Sequence, residues 1–540
     1  MLIAAAVLAA RVLYLALACP YDLVEDEAQY WLWSRHIDWS YYSKGPGVAW
    51  AIGLSTALFG DAEWAVRLPS VLSGFVAMVC AAGLTRDAAL FGGAEPRAAG
   101  RAAMWGMIVV AVAPVFQMTS ILMTIDGPLV ACWLCAAWAA WRALMHGSRI
   151  AWGVLGAALA IGFLFKYTMI LAAPGVIVFA LLWRARLNLH RSWRMWVAAG
   201  ATVALLGLLP VVIWNAQNDW ATFRHLLGHL GMSGGDMPVA AGPRRWSPWW
   251  PFQLAFSQTG MAGPGLMLGL LACVLARRAL GPGASFLAWF AAPIFVFYLV
   301  VSLFAEPEGN WPIAGTTTLL ALGGWWASTA PLQRPRIGHA RLARIVWTVA
   351  IIYGLCASPV LLRADAAASI VSRLKEWSPV ASAAEKFGAR PGPIRTGRLI
   401  GARQLGAHAG RVLAELDAAR SDGAHAFVIA DHYGRASQLS YYIPGRPTVY
   451  CASSLMGGRR SQFDVWPHTD LHDPALRERD ALLLSNDRPW TLDSWRTMFR
   501  SVEPATDSGK LEGEHKRDRV AYIGRGFLGP QDKAGAEGRR

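Results

Sequence analysis

Residues 21–50, YDLVEDEAQYWLWSRHIDWSYYSKGPGVAW, decide how the chain is interpreted. They follow directly on an apolar N-terminal run that is long enough to cross a bilayer. The stretch contains three consecutive acids, Glu25, Asp26 and Glu27, then a series of aromatic residues, and then Lys44 in front of Gly-Pro-Gly. Such a charged cluster at the mouth of a membrane span either stabilises the loop or forms a site.

The composition is that of a membrane protein. Of the 540 residues, 55% are hydrophobic and 16% are charged, whereas soluble domains have about a quarter charged residues. The formal net charge is +15, but most arginines lie in short loops between apolar runs. This is the distribution of cytoplasmic loops rather than of a nucleic-acid-binding face. We therefore expect membrane lipids as partners and no nucleic acid.

The apolar segments predict a polytopic α-helical membrane protein with about 11 transmembrane helices. Candidate spans lie at 2–20, 66–84, 100–118, 126–145, 150–165, 168–183, 195–214, 252–276, 284–304, 311–328 and 345–362. Arginines occupy alternate connections, which places the N-terminus in the cytoplasm and the C-terminus outside. The acidic stretch at 21–65 and everything after residue 363 are therefore predicted to face outward.

The domain prediction follows from a change in composition near residue 363. Residues 1–362 form a membrane domain with a long outer loop at 21–65, and AFVIAD, TVYCA and ALLLS predict strands of a small extracytoplasmic α/β domain at 363–525. The Gly- and charge-rich residues 526–540 predict a disordered tail. In the outer loop, AQYWLWSRH and GVAWAIGLSTALFG predict short helices lying on the membrane surface.

Asp26 and Lys44 each have two interpretations. A carboxylate in an aromatic, partly dry setting can have a raised pKa and act as a general base, but acids also stabilise the first turn of a helix. Lys44 binds either a phosphate or lipid headgroups, and Tyr41 and Tyr42 either line the same pocket or are interfacial aromatics. The residues alone favour neither alternative for Asp26.

Other charged residues lie at the predicted outer ends of spans. Asp126, in MTIDGPL, is either a second acid of the site or a helix cap before Gly-Pro. Lys166, in FLFKYT, has no acid adjacent in sequence, so a phosphate is its expected partner. In EPEGNWPIAG, Glu306, Glu308 and Asn310 either reach the same cavity or cap the next helix.

Two histidines, His225 and His229, have the i, i+4 spacing of metal ligands, but two histidines alone are a weak signal. We predict no metal and no other cofactor. Arg11, in the middle of the first span, is a weak candidate for a phosphate contact.

Several motifs resemble the polyprenyl-phosphate-sugar-dependent membrane glycosyltransferases of the C-type fold. This superfamily includes glycosyltransferase family 39 with the protein O-mannosyltransferases, the lipid A aminoarabinose transferase and the lipopolysaccharide galacturonosyltransferases. The first outer loop carries the resemblance, supported by MTIDGPL, GFLFKYTMILAAPG, LPVVIWNAQNDWATFRHLLGH and GNWPIAG. Together these motifs extend from residue 1 to about residue 330.

The resemblance implies roles for the acids and the cations. Asp26 is then the catalytic carboxylate, Glu27 lies beside it, and Asp126 is the second acid. Lys44 corresponds to a lysine that the aminoarabinose transferase places on the lipid phosphate, whereas many relatives have HPP where this chain has KGPG. The donor phosphate is expected to contact Lys44, Lys166, Arg244 or its neighbour Arg245, and Tyr42. Ser43 stands where some members have a glutamate that helps to hold a metal.

The implied reaction transfers a sugar from an undecaprenyl-phosphate donor, with inversion, to a glycan, lipid or protein acceptor. Asp26 takes the proton of the acceptor hydroxyl, and the cations stabilise the phosphate that leaves. Two other functions remain open at this point. A glycolipid transporter or flippase would need ionisable residues at mid-membrane, and an oligosaccharide polymerase or ligase would use a diphosphate-linked donor.

Overall fold

The computed structural model describes residues 1–540 except 231, 233–234, 237–246, 277–280, 330–336, 368, 370–397, 421–422, 508, 515–518 and 531–540. Helices α1 to α17 are Leu2–Leu17, Glu25–Arg35, Gly47–Phe59, Glu63–Phe91, Pro96–Val112, Pro114–Thr119, Asp126–Met145, Arg149–Phe165, Ala172–Leu182, Trp193–Leu206, Leu209–Gln217, Ala221–Leu230, Trp250–Ala262, Pro264–Leu271, Pro282–Val301, Ile313–Thr329 and Ile337–Leu362. Each of the eleven predicted spans coincides with a helix or a pair of helices from this series.

The chain is a multi-pass membrane protein. Within the described residues, five helices are long and apolar enough to cross a membrane, and a bent pair makes a sixth if it counts as one span. The five are Glu63–Phe91, Asp126–Met145, Trp193–Gln217, Pro282–Val301 and Arg341–Leu362. Shorter apolar helices, such as α1 and α8, accompany them. The predicted number of about eleven spans and the predicted orientation stay predictions.

The span predicted as continuous at 252–276 is broken. Helices α13 and α14 meet at an angle of 107°. Gly263 lies between them with a φ of 64°, a left-handed conformation that favours glycine, and Pro264 then begins the next helix. The break therefore has a local cause, which an apolar pattern does not reveal.

Small residues allow the membrane helices to pack closely. A Cβ placed on Gly156 of α8 would lie 2.1 Å from the carbonyl oxygen of Gly200 in α10. Lipid gives little hydrophobic driving force for helix association, so such close contacts supply the packing energy instead. The same packing fixes α8, whose C-terminal end lies beside the site.

The C-terminal region is a mixed α/β unit. Its helices α18, α19 and α20 are Ala402–Ala418, Tyr433–Tyr442 and Pro489–Met498, and its strands β1 to β5 are Phe427–Ala430, Val449–Cys451, Ala481–Asn486, Phe499–Pro504 and Arg519–Phe527. The strand order is β2-β1-β3-β5-β4, with β1 parallel to β2 and β3, and β5 antiparallel to β3 and β4. Alternate residues of β1 and β3 pack against α18 and α19 on one face and against α20 on the other.

The three predicted strands form at their predicted positions, and β4 and β5 were not predicted. Strand β5 continues to Phe527, which lies inside the segment predicted as a tail, and residues 531–540 lie outside the described part. The domain boundaries themselves stay predictions.

Helix α2 packs against the C-terminal unit, and its position at the membrane surface stays a prediction. Its aromatic face packs against α19, where the rings of Trp31 and Tyr441 are 4.8 Å apart. The backbone just before α2 is also held, because Gln438 donates to the carbonyl of Leu23 and Leu23 donates to the hydroxyl of Tyr442. The C-terminal unit therefore covers part of the aromatic face of α2, a contact that the sequence did not predict.

Candidate active site

Asp26 lies in the first turn of α2. Its side chain is exposed to solvent yet has protein around most of it, as expected at a cleft wall. No described residue donates a hydrogen bond to its carboxylate. Burial raises the pKa of Asp26, Lys44 and Arg459 oppose this rise, and Glu25 and Asp126 add to it. A carboxylate with a raised pKa and no partner suits the task of accepting a proton.

Lys44 supplies a cation on the same cleft. Its side chain is half-buried, and its ammonium group makes no hydrogen bond or ion pair within the described part of the chain. Burial lowers the pKa of Lys44 to about 8, helped by Arg459 and Lys166 and opposed by Asp26 and Asp126. This ammonium group is therefore available to an anionic ligand.

The sequence KGPG positions Lys44. A Cβ on Gly45 would lie 2.3 Å from the carbonyl oxygen of Leu164, and one on Gly47 would lie 3.0 Å from the carbonyl carbon of the same residue. Leu164 is two residues before Lys166, at the end of α8. Because both glycines lack a Cβ, the loop passes directly against this helix end and brings Lys44 towards Lys166.

Asp126 and Lys166 form an ion pair beside Asp26. The Nζ atom of Lys166 lies 2.8 Å from Oδ1 of Asp126, and the amide nitrogen of Asn310 donates to Oδ2 at 2.6 Å. The structure thus brings together two predicted residues and confirms that Asn310 reaches the same cavity. Glu306 instead accepts a 3.3 Å hydrogen bond from Gln253.

Glu27 is engaged in structural contacts. It is fully buried and accepts two hydrogen bonds from Arg67, at 2.9 and 2.7 Å. The backbone amides of Met123 and Val24 donate to the same two oxygens at 2.7 and 3.1 Å. Both carboxylate oxygens of Glu27 therefore have hydrogen-bond partners. Asp26, which is predicted to act with Glu27, is exposed and has none among the described residues.

The other predicted phosphate contacts are placed differently. The hydroxyl of Tyr42 donates to Asp236, and its ring is 5.0 Å from that of His225. Arg244 and Arg245 lie outside the described residues, as does the side chain of His229. Within the described residues, no group of three or more His, Cys, Asp or Glu side chains is arranged to hold a metal.

The C-terminal unit adds two residues that the sequence did not reveal. Arg459 lies 5.5 Å above the ring of Tyr433, and its Nε atom is buried without a hydrogen-bond partner in the described part. Arg459 opposes the rise in the pKa of Asp26, and the Asp26 carboxylate in turn helps to raise the pKa of Tyr433. Gly434 lets the neighbouring Tyr433 approach α2 closely, because a Cβ at this position would lie 2.6 Å from Cβ of Glu25. More than 400 residues separate them from Asp26, and no local motif marks them.

Known proteins resemble this arrangement in sequence and in fold. Residues 43–214 match the family model described as dolichyl-phosphate-mannose-protein mannosyltransferase. The lipid A galacturonosyltransferase RgtD of Rhizobium johnstonii is 28% identical over 307 residues, which are 56% of this chain and 60% of that protein. The apo crystal structure of ArnT from Cupriavidus metallidurans superposes with a TM-score of 0.61 at 18% identity, over 97% of both chains. The protein has the C-type glycosyltransferase fold.

The C-type fold extends over the whole chain, beyond the motifs that first indicated it. A second ArnT structure, bound to undecaprenyl phosphate, gives a TM-score of 0.59 at 16% identity, again over 97% of both chains. Together with the family model and the similarity to RgtD, these structures confirm the resemblance found in the first outer loop.

Proposed function

We propose that the protein is a glycosyltransferase of the inner membrane that transfers a sugar from undecaprenyl phosphate to lipid A at the periplasmic face. One observation carries this proposal: the Asp26 carboxylate and the Lys44 ammonium lie close enough to influence each other's pKa, and neither has a hydrogen-bond or ion-pair partner among the described residues. A transferase of this kind needs a base for the acceptor and a cation for the leaving phosphate.

Each part of the proposed reaction is assigned to a residue of the cleft. The acceptor hydroxyl gives its proton to Asp26, and its oxygen forms a bond to the anomeric carbon of the donor. The bond between that carbon and the phosphate oxygen breaks, and its electron pair stays on undecaprenyl phosphate. Lys44 stabilises the negative charge that develops there, and attack from the opposite side inverts the configuration.

Lys166 has a different role in this proposal. Its charge is balanced by Asp126, so it holds the cleft together and contributes less net charge than Lys44 does to the phosphate. Asp126 in turn adds negative potential near the anomeric carbon, where positive charge develops as the phosphate leaves.

The relatives support the donor and the acceptor. The ArnT structure bound to undecaprenyl phosphate has the same fold, and RgtD is named for the transfer of galacturonic acid to lipid A. Arg459 favours an acidic sugar, since its buried Nε has no partner within the described residues and lies on the Asp26 side of the cleft. We therefore propose a hexuronic acid as the transferred sugar.

Transfer by the purified chain in detergent tests the proposal. The donors are synthetic undecaprenyl-phosphate galacturonic acid and undecaprenyl-phosphate aminoarabinose, the acceptor is lipid A, and the product is measured by mass spectrometry. The proposal predicts a product carrying galacturonic acid, and faster transfer of this sugar than of aminoarabinose. A transporter or flippase would give no product with either donor, and that result would refute the proposed activity.

A variant of Arg459 tests the sugar separately. Arg459→Gln is expected to reduce transfer of galacturonic acid at least tenfold while changing the transfer of a neutral hexose little. Equal losses with both sugars would contradict the assignment of Arg459 to the sugar carboxylate.

A further inference from the structure

A second cavity lies between α2 and the C-terminal unit, away from Asp26. Its volume is about 270 Å³, which suits a ligand of roughly one sugar ring. The side chains that matter for its chemistry are Trp31, Arg35, His36, Arg446, Trp466 and His468. Asp26 is at the other end of α2, roughly 14 Å from Arg35 by the rise of the helix.

Aromatic rings form one wall of this cavity. The rings of His36 and His468 stack at 4.3 Å, and those of His36 and Trp466 are 4.9 Å apart. Neither imidazole makes a hydrogen bond to a side chain or backbone group that the structure describes. The wall therefore combines flat apolar faces, against which the C–H groups of a sugar pack, with ring nitrogens that can bond hydroxyl groups.

Two arginines give the cavity a positive charge. Arg35 donates to Asp61 at 3.1 Å, and Arg446 donates to the other oxygen of the same carboxylate. One acid thus faces two guanidinium groups, and Arg446 also lies 4.8 Å above the ring of Trp31. The remaining guanidinium N–H groups of Arg446 have no hydrogen-bond partner in the described part of the chain.

The backbone at Arg446 is strained. Its φ is 49°, in the left-handed region that an arginine rarely adopts. Strain of this kind costs of the order of 1–3 kcal/mol and concentrates at ligand-binding positions. Here it holds the guanidinium group over Trp31 at the cavity rim.

We propose that this cavity binds an anionic sugar of the acceptor, carrying a phosphate or carboxylate group, at a distance from the site of transfer. The assignment of this sugar to the acceptor rests on the proposed function, whereas the binding of an anionic sugar does not. Aromatic faces hold the ring, Arg446 donates to the anionic group, and Arg35, which already bonds Ser34, Thr56 and Asp61, adds positive charge. The transferred sugar is added elsewhere on the same acceptor molecule.

Binding to the full-length protein in detergent tests this proposal, with glucose 6-phosphate, glucose and inorganic phosphate as probes in isothermal titration calorimetry. Glucose 6-phosphate is expected to bind at least tenfold more tightly than either of the other two. Inorganic phosphate binding as tightly as the sugar phosphate would overturn the proposal, because the cavity would then be a simple anion site. Absence of sugar-phosphate binding would overturn it as well.

Two variants locate the binding. Arg446→Asn keeps a residue that tolerates the left-handed backbone, and His468→Ala removes one exposed ring; each is expected to weaken glucose 6-phosphate binding at least tenfold. The matched control is Arg488→Asn, which removes a guanidinium 5.1 Å above Trp490, outside the cavity. Unchanged binding in both cavity variants, or an equal loss in the control, would overturn the proposal.

Kinetics separate this proposal from the proposed function. If lipid A is the acceptor, Arg446→Asn raises its KM at least tenfold and leaves kcat within about twofold. If the wild-type protein binds the sugar phosphate but transfers no sugar, the proposed function is refuted. The proposal that this cavity binds an anionic sugar then still stands. Normal transfer with an unchanged KM in Arg446→Asn would refute the acceptor role of the cavity alone.

Discussion

Lys166 and Asp126 form a nearly buried ion pair at the ends of α8 and α7, with 2.8 Å between Nζ and Oδ1. Their side chains are only 12% and 4% exposed, and Asn310 satisfies the second oxygen of the carboxylate. Three segments that are distant in sequence therefore meet at one carboxylate beside the cleft. The pair gives the cleft a fixed wall, so its loss should lower the stability of the protein.

Asp126→Asn should destabilise the protein by about 3–5 kcal/mol, because it leaves the Lys166 charge buried without its partner. The double variant Asp126→Asn/Lys166→Met should recover most of this loss, since it removes the unpaired charge as well. Thermal unfolding in detergent measures both effects. As a control, Glu478→Gln breaks a solvent-exposed pair with Arg500 and should leave the Tm nearly unchanged. Single and double variants of equal stability would contradict a structural ion pair.

Glu27 and Asp26 should respond differently to loss of charge. Glu27→Gln leaves Arg67 buried with a neutral partner, so we expect a marked fall in Tm. The pKa of Asp26 is raised in the folded state, so above that pKa the ionised carboxylate reduces stability, and Asp26→Asn removes this cost. Its Tm should therefore be unchanged or higher. A fall in Tm for Asp26→Asn as large as that for Glu27→Gln would contradict this distinction.

The pH dependence of transfer should be bell-shaped. Asp26 must be ionised to accept a proton, so kcat/KM should rise with pH through its raised pKa. Lys44 must be protonated to stabilise the phosphate, and its pKa is lowered to about 8, so activity should fall as the pH rises above that value. Arginine stays protonated throughout, and Lys44→Arg should move the alkaline fall to higher pH. An unchanged alkaline limb in this variant would show that another group causes it.

Gly45→Ala should weaken donor binding. The added Cβ would lie 2.3 Å from the Leu164 carbonyl oxygen, and the loop that carries Lys44 must then move away from α8. We expect at least a tenfold rise in the KM for the donor. Gly53→Ala is the matched control, because its Cβ would have ordinary contacts of 3.4 Å or more. Equal KM values for the two variants would contradict the role given to KGPG.

Much of the membrane part was predictable from sequence, because apolar segments of sufficient length form helices wherever they occur. Asp26, Lys44, Asp126 and Lys166 were also identified, since charges at the ends of such segments are conspicuous. Their pairing was not predictable. Lys166 takes Asp126 as its partner through a contact between α7 and the end of α8, and this contact depends on packing rather than on spacing.

The contribution of the C-terminal unit could not be predicted. Arg459 and Tyr433 reach the site because α19 docks on α2, and the close approach of Gly434 to Glu25 fixes this docking. An aromatic helix such as α2 has the same pattern whether it faces lipid or a folded unit. The burial of Glu27 could not be predicted from the local sequence either, because its partner Arg67 lies forty residues away in α4.

The rate of sugar transfer by Asp26→Asn tests the central claim most directly. The variant keeps the shape of the side chain and removes the proton acceptor, so kcat should fall by at least a factor of one hundred. Binding of undecaprenyl phosphate should stay within about threefold of the wild-type value, since Lys44 is unchanged. A variant that transfers sugar at the wild-type rate would contradict the account.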